Sequence, residues 1–269
     1  MKKIAVITDL SGFGRCSITV ALPIISALGV QCCPVPTSIL SSHTGFENIF
    51  FDDYSSHTKT YMDKWEQMNL TFDGYLTGFF ASATQIDDVY HLLKEKDKTM
   101  IVVDPIMGDQ GKLYSSYTEE MVCSLKNLCG IADVLLPNLT EACILTDTPY
   151  VLEEITEEVL VEICNKLAKH KTKYICITGI VQGDEIMNFL YMEGMYEVIK
   201  VPQIGEVRCG TGDVFASIVS AGLVQGKEVT KCVCKATDYI GKTLEVSLSE
   251  PITNGICFEK TLLQIGDFE

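Results

Sequence analysis

Short apolar runs rich in β-branched residues alternate along this chain with stretches of helical period, and that alternation limits the fold more than any other feature. The first run, Ile4-Ala5-Val6-Ile7-Thr8, has the pattern of a strand buried on both faces. A loop from Asp9 to Arg15, carrying Gly12 and Gly14, leads into a helix predicted over Ser17 to Leu28 and ended by Gly29. Pro23 inside it predicts a kink or an irregular start. Further strands are expected at Val30 to Val35, Met100 to Val103, Val134 to Leu136 and Tyr174 to Ile177. Ser82 and Gln85 form a capping-box pattern ahead of Ile86, Val89, Leu92 and Leu93, with Asp87 and Asp88 early and Lys94 and Lys96 late, as the helix dipole favours. Tyr117 to Leu128, Thr156 to Lys169, Thr211 to Gln225 and Val229 to Leu248 predict the other helices, and Met187 to Val201 a hairpin about Glu193-Gly194. Such an order predicts an α/β fold with a mostly parallel sheet and helices on both faces. No repeat, low-complexity tract or linker interrupts it, so residues 1–269 are expected to form one domain.

Bulk properties exclude several classes of function. A net charge of −15 opposes binding to nucleic acid or anionic membranes. The 12 cysteines form no CxxC pair, and Cys232 and Cys234 lie far from any histidine in sequence, so no zinc site is expected. The N-terminus lacks a signal-peptide core. No apolar run approaches the ~18 residues of a membrane span. Free thiols without an export signal predict the reducing cytoplasm.

Ligands of open parallel sheets bind beyond the carboxyl ends of the strands, so the residues that follow each strand are the candidates. They are Asp9-Leu10-Ser11-Gly12, Asp104-Pro105-Ile106-Met107-Gly108-Asp109, Pro137-Asn138-Leu139-Thr140-Glu141, Thr178-Gly179 and Gly210-Thr211-Gly212-Asp213. In the last, small residues at a helix start let main-chain N–H groups converge on an anion, and Asp213 in the first turn is placed to take a proton from an attacking hydroxyl. The plain alternative is a capped helix with a glycine turn. Asp104, Asp109, Glu141 and Asn138 offer hard oxygen ligands of the kind Mg²⁺ takes when it bridges nucleotide phosphates. Here too a plain alternative stands: Asn138 caps a helix and Glu141 is its N3 partner.

Two other motifs lead away from the sheet edge. Gly12-Phe13-Gly14 lacks the third glycine of a dinucleotide fingerprint, and no acidic residue ends the second strand, which speaks against NAD. Gly241-Lys242-Thr243 resembles the end of a P-loop, but Val229, Val233, Ala236, Ile240 and Leu244 run through it as one helical stripe, so Lys242 is expected on a solvated helix face.

Taken together the motifs resemble the ribokinase-like sugar and vitamin kinases. Gly210-Thr211-Gly212-Asp213 is similar to their signature. Asp104-Pro105-x-Met107-Gly108-Asp109, Pro137-Asn138-x-x-Glu141 and Ile177-Thr178 resemble the vitamin-kinase branch in order and spacing. Ser41-Ser42-His43-Thr44-Gly45-Phe46 resembles the substrate loop of pyridoxal kinases, Ser-Asn-His-Thr-Gly-Tyr. The resemblance spans nearly the whole chain and implies a three-layer sandwich, ATP and Mg²⁺ as cofactors, an assisting K⁺ or Na⁺, and a homodimer. It implies Asp213 as the base, Gly210 to Gly212 as the anion hole, and Asp104, Asn138 and Glu141 around the metal and nucleotide phosphates, with Thr178 beside a monovalent cation or the nucleotide. Asp109 and Tyr114 would lie on or near a flap, Gly108 to Ser115, that covers ATP. His43 and Thr44 would line the pyridine pocket, and Asp9 or Ser11 would contact the ring's polar edge.

One departure bears on the substrate. Many pyridoxal kinases carry Ser-His after the first strand, whereas Thr8-Asp9-Leu10-Ser11-Gly12 is closer to the Asp-Pro-Ser-Gly of hydroxymethylpyrimidine kinases. The resemblance therefore implies phosphorylation of the hydroxymethyl group of a B6 vitamer, with hydroxymethylpyrimidine as the alternative acceptor. A non-catalytic vitamin-binding protein on the same fold is a third reading, which an intact Asp213 opposes.

Overall fold

The computed structural model describes residues 1–151, 155–169, 171–266 and 268. In chain order the elements are β1 (Lys3–Ser11), α1 (Ile18–Ala27), β2 (Gln31–Leu40), β3 (Phe51–Asp53), α2 (Ser55–Gln67), β4 (Gly74–Thr77), α3 (Ala83–Leu93), β5 (Met100–Val103), β6 (Gly108–Asp109) and β7 (Lys112–Leu113). They continue with α4 (Glu119–Cys129), β8 (Val134–Leu135), α5 (Leu139–Thr146), α6 (Glu157–Leu167), β9 (Tyr174–Gln182), β10 (Glu185–Met192), β11 (Met195–Pro202), α7 (Thr211–Val224) and α8 (Val229–Ser247). The class is the α/β one that the alternation predicts. Although no linker marks a boundary, the chain packs as two compact units, Met1–Ala81 with Ile204–Glu269, and Ser82–Gln203.

In the first unit the strand order is β4-β1-β2-β3. β1 pairs in parallel with β2 and β4, and β3 runs antiparallel to β2. Ile4, Ala5, Val6 and Ile7 are buried, as a central strand requires. β1 is longer than its apolar run, reaching Ser11, because the ladder to β2 resumes after a slip: Thr8 pairs with Pro36 and Leu10 with Ile39. Asp9 thus sits at a β-bulge, a device that re-aims a side chain. α7 packs on β1, β4, α1 and α8, and every residue from Val214 to Val224 is buried, which explains its lack of a polar face. Each fully buried Val, Leu or Ile there contributes roughly 1.5–3 kcal/mol of transfer free energy.

In the second unit the order is β11-β10-β9-β8-β5, with β5, β8 and β9 parallel and β9-β10-β11 an antiparallel meander. Glu193 (φ 48°) and Gly194 (φ 92°) turn the β10–β11 hairpin in the left-handed conformation that matches strand twist. Ser82, Thr118 and Thr156 each accept a first-turn N–H with their side chains, so three helices start where their capping residues stand. β9 runs past its expected end at Ile177 to Gln182, through a second bulge: Ile177 pairs with Phe189 and Ile180 with Met187. Thr178 and Gly179 therefore face Asn188, whose Oδ1 accepts the Gly179 N–H at 3.0 Å.

Candidate active site

Within the first unit, the residues after β1, before α1 and before α7 come together. Gly210 precedes α7 at φ 89°, and a β-carbon there would lie 2.2 Å from the Arg15 carbonyl oxygen. Only glycine fits both the conformation and the approach. Gly255 touches the same place: a β-carbon on it would meet the Gly14 oxygen at 2.2 Å and the Cys209 oxygen at 3.0 Å. Thr211 turns its hydroxyl back to the Arg208 carbonyl at 3.2 Å. The first-turn N–H groups of α7, like those of any helix start, have no intrahelical acceptor and so favour an anion.

Asp213 lies in that first turn, half-buried. Burial of its carboxyl pushes the pKa up to about 6, the negative charge of Asp9 adds to the rise, and main-chain N–H groups of Ser17 and of Asp213 itself oppose it. Asp9 is 4% exposed. Its oxygens accept from Ser17 Oγ at 2.5 Å and Ser11 Oγ at 2.8 Å. Burial holds its pKa above the usual carboxylate value, against those two donors. Ser11 is thus occupied by Asp9, and both lie inside β1 rather than in a loop.

The substrate-loop motif sits in the same unit. Gly45 donates its N–H to His43 Nδ1 at 3.0 Å, and His43 Nε2 lies 3.0 Å from the Thr253 carbonyl oxygen. A carbonyl only accepts, so Nε2 carries the proton and both ring nitrogens serve the main chain. The ring covers Gly14 and packs at 4.7 Å from Phe46, which in turn meets Phe13 edge-on at 5.6 Å. Thr44 is exposed.

The second unit carries the remaining candidates. Asn138 and Glu141 form a complete capping box at α5: Glu141 N–H donates to Asn138 Oδ1 at 2.9 Å, and Asn138 N–H to Glu141 Oε2 at 2.8 Å. The box also anchors the segment before β6, because Met107 N–H donates to Glu141 Oε1 at 3.1 Å and Asn138 Nδ2 to the Gly108 oxygen at 2.8 Å. Glu141 is buried, which pushes its pKa up to about 8 against those main-chain donors, with nearby Asp109 adding to the rise. Asp104 is 8% exposed. Thr178, at the β9 bulge, donates its N–H to the Pro137 oxygen at 2.9 Å, and a lone parallel bridge links it to Asn138. Gly108 to Ser115 contains the β6–β7 hairpin, with Asp109 exposed opposite Lys112 and Tyr114 39% exposed. Thr140 Oγ1 accepts the Gly111 N–H at 2.9 Å. Among the described residues no group of three or more His, Cys, Asp or Glu side chains can hold a metal ion by itself.

Several contributors escaped the sequence reading. Ser17, at φ 53°, links Asp9 to Asp213. Arg15 and Arg208 hold the segment after α8: Arg15 bonds Glu259 at 2.8 Å and the Asn254 oxygen at 2.9 Å, while Arg208 bonds the Pro251 and Glu250 oxygens at 3.0 and 2.8 Å. Tyr150 packs on Gly111 and hydrogen-bonds Thr140. The one available signal was the turn-forming Pro251 to Gly255, which has no helical or strand period. Lys242, by contrast, lies where the helical stripe put it, exposed and paired with Asp238 at 2.6 Å.

The comparisons agree with this architecture. A family model described as phosphomethylpyrimidine kinase matches residues 18–255. A Bacteroides thetaiotaomicron protein, provisionally called a phosphomethylpyrimidine kinase and crystallised with pyridoxal, is 33% identical, with a TM-score of 0.93 over 98% of this chain and 95% of its own. Pyridoxal kinase from Lactobacillus plantarum is 26% identical, with a TM-score of 0.91 over 98% of this chain and 96% of its own. A hydroxymethylpyrimidine/phosphomethylpyrimidine kinase from Aquifex aeolicus is 30% identical over 178 residues, 65% of this chain and 68% of that one.

Proposed function

The chain belongs to the phosphomethylpyrimidine kinase family, and from that premise we propose that it transfers the terminal phosphoryl group of ATP to the 5′-hydroxymethyl group of pyridoxal, pyridoxine or pyridoxamine. The observation that carries this reading is Asp213: a carboxylate in the first turn of α7, beside the Gly210–Gly212 amides, with its pKa raised to about 6. That value keeps it ionised at neutral pH and basic enough to receive the acceptor's proton. The amides would hold the phosphoryl oxygens as charge develops on them. The choice of a B6 vitamer draws on the likeness to the Bacteroides protein crystallised with pyridoxal and to the Lactobacillus pyridoxal kinase.

The other residues take the following roles. Asp104 and Glu141 would hold Mg²⁺ together with nucleotide phosphates and water, since this ion keeps several waters and needs few protein ligands. The donor set fits: both side chains offer hard oxygens, and a cation beside Glu141 would favour the ionised form that burial opposes. The ion's chemical contribution is to neutralise charge on the phosphates. Asn138, Asp109 and Tyr114 would bind the nucleotide, with Asp109 and Tyr114 on the covering hairpin, and Thr178 would serve the nucleotide or a bound K⁺ or Na⁺. His43, with both nitrogens engaged, would act as a wall of the acceptor site, next to Thr44. On this reading residues 1–269 work as one kinase domain, in the cytoplasm and as a homodimer. No helix among the described residues is long and apolar enough to cross a membrane.

The same chemistry on hydroxymethylpyrimidine is the second reading, favoured by the family's description and by the Aquifex relative. A coupled ADP-release assay with each vitamer and with hydroxymethylpyrimidine separates the two. B6 turnover is expected to be the faster; no turnover of any vitamer rejects the first reading, and no turnover of any acceptor leaves only a binding protein. Asp213→Asn should lose roughly 10²–10⁴-fold in kcat while still binding ligand. Wild-type turnover by that variant would remove Asp213 as the base.

A further inference from the structure

Ser17 stands immediately before α1 with φ 53° and ψ −130°. That conformation is disfavoured for a residue with a β-carbon and persists only where its surroundings enforce it. A serine in this place normally turns its hydroxyl onto a first-turn N–H, but Ser17 makes no such cap. Its Oγ donates to Asp9 at 2.5 Å, and its main-chain N–H, set beside the Asp213 carboxylate, lowers that group's pKa. Asp9 is fixed in turn by its place at the bulge of β1 and by the Ser11 hydroxyl at 2.8 Å. A strained residue is therefore bracketed by two carboxylates, one on each of its polar groups.

We propose that Asp9 is a positioning residue for phosphoryl transfer: it clamps Ser17 in its positive-φ conformation, so that the Ser17 main-chain N–H holds the Asp213 carboxylate in a single orientation toward the acceptor hydroxyl. The inference rests on Asp213 being the base. A buried carboxylate whose two oxygens are taken by hydroxyls is better suited to hold its neighbours than to meet a substrate. The clamp also sets the charge around the base. The titratable groups beside Asp9 and Asp213 are each other's carboxylates, from β1 and α7, and the Cys16 thiol from the loop before α1, which in turn adjoins that of Cys209. The nearby guanidinium groups of Arg15 and Arg208 are bound to residues 250–259. Asp9 thus adds negative charge to the rise that burial gives the Asp213 pKa.

The test uses the full chain with MgATP and pyridoxal, or hydroxymethylpyrimidine if that is the acceptor turned over. Asp9→Asn should lower kcat on the order of 10- to 100-fold with the KM for ATP little changed, and should move the acid limb of kcat/KM to lower pH. Loss of packing alone would lower the melting temperature and the active fraction but leave that midpoint in place. Ser17→Ala breaks the same clamp at its other end. The double variant Asp9→Asn/Ser17→Ala should therefore lose no more than the worse single variant; losses that multiply overturn the clamp. If Asp213→Asn is inactive while Asp9→Asn keeps both kcat and the midpoint, the clamp alone is rejected. Should Asp213→Asn stay active, the assignment of the base falls and the clamp with it.

Discussion

A carboxylate that must accept a proton works only when ionised, and Asp213 with a pKa of about 6 is protonated at lower pH. Its raised value therefore fixes the sign of the pH dependence: kcat/KM should climb with pH through about 6 and level off above it. A profile already flat from pH 4.5 upward would mean that another group takes the proton. At this scale the sequence was informative about chemistry and silent about posture. Asp9, Asp104, Asn138, Glu141 and Asp213 were all visible as polar residues after strands. Ser17 was not, because its positive φ goes with its tertiary setting between Asp9 and Asp213, and no local residue preference encodes it.

At the level of elements, the most connected device is the box at the start of α5. Asn138 satisfies the Glu141 N–H and also reaches the Gly108 oxygen at the base of the β6–β7 hairpin. Asn138→Ala should therefore cost about 1–2 kcal/mol in thermal or urea unfolding and raise the KM for ATP together with it, because the hairpin loses its anchor. A stability loss with an unaltered KM would separate the box from the nucleotide. The same scale shows where periodicity suffices. Met100–Val103 is a strand as read, since it is wholly apolar, and the capped helices begin beside Ser82, Thr118 and Thr156. α2 was missed because only Thr58 and Met62 on it are buried, which leaves no apolar stripe to detect. β3 was missed because all three of its residues are exposed, and β4 because it is four residues opened by a glycine. Pro34 and Pro36 hid the full length of β2; pairing with β3 starts only at Ser38, beyond both, where no missing N–H interrupts that ladder.

For the molecule as a whole, cysteine burial gives a measurable signature. Cys123 and Cys234 are exposed, Cys32, Cys33 and Cys209 are intermediate, and the other seven are buried. Burial pushes Cys129, Cys164 and Cys232 up to about 12, far from the thiolate form that reacts. A thiol reagent at pH 8 should modify Cys123 and Cys234 first, the three intermediate residues more slowly, and the rest only on unfolding, as peptide mapping by mass spectrometry would show. Rapid native labelling of Cys164 or Cys129 would contradict the packing of their helices.

The first unit is built from two segments, Met1–Ala81 and Ile204–Glu269, and both Asp9 and Asp213 belong to it. During synthesis Asp9 and its strand partners β2 and β4 emerge well before α7, while Ser82–Gln203 follows as one uninterrupted stretch free to organise before that helix appears. A nascent chain stalled before residue 204 therefore lacks the glycines and the carboxylate at the start of α7, and the unit that holds Asp9 stays unfinished until that helix is made.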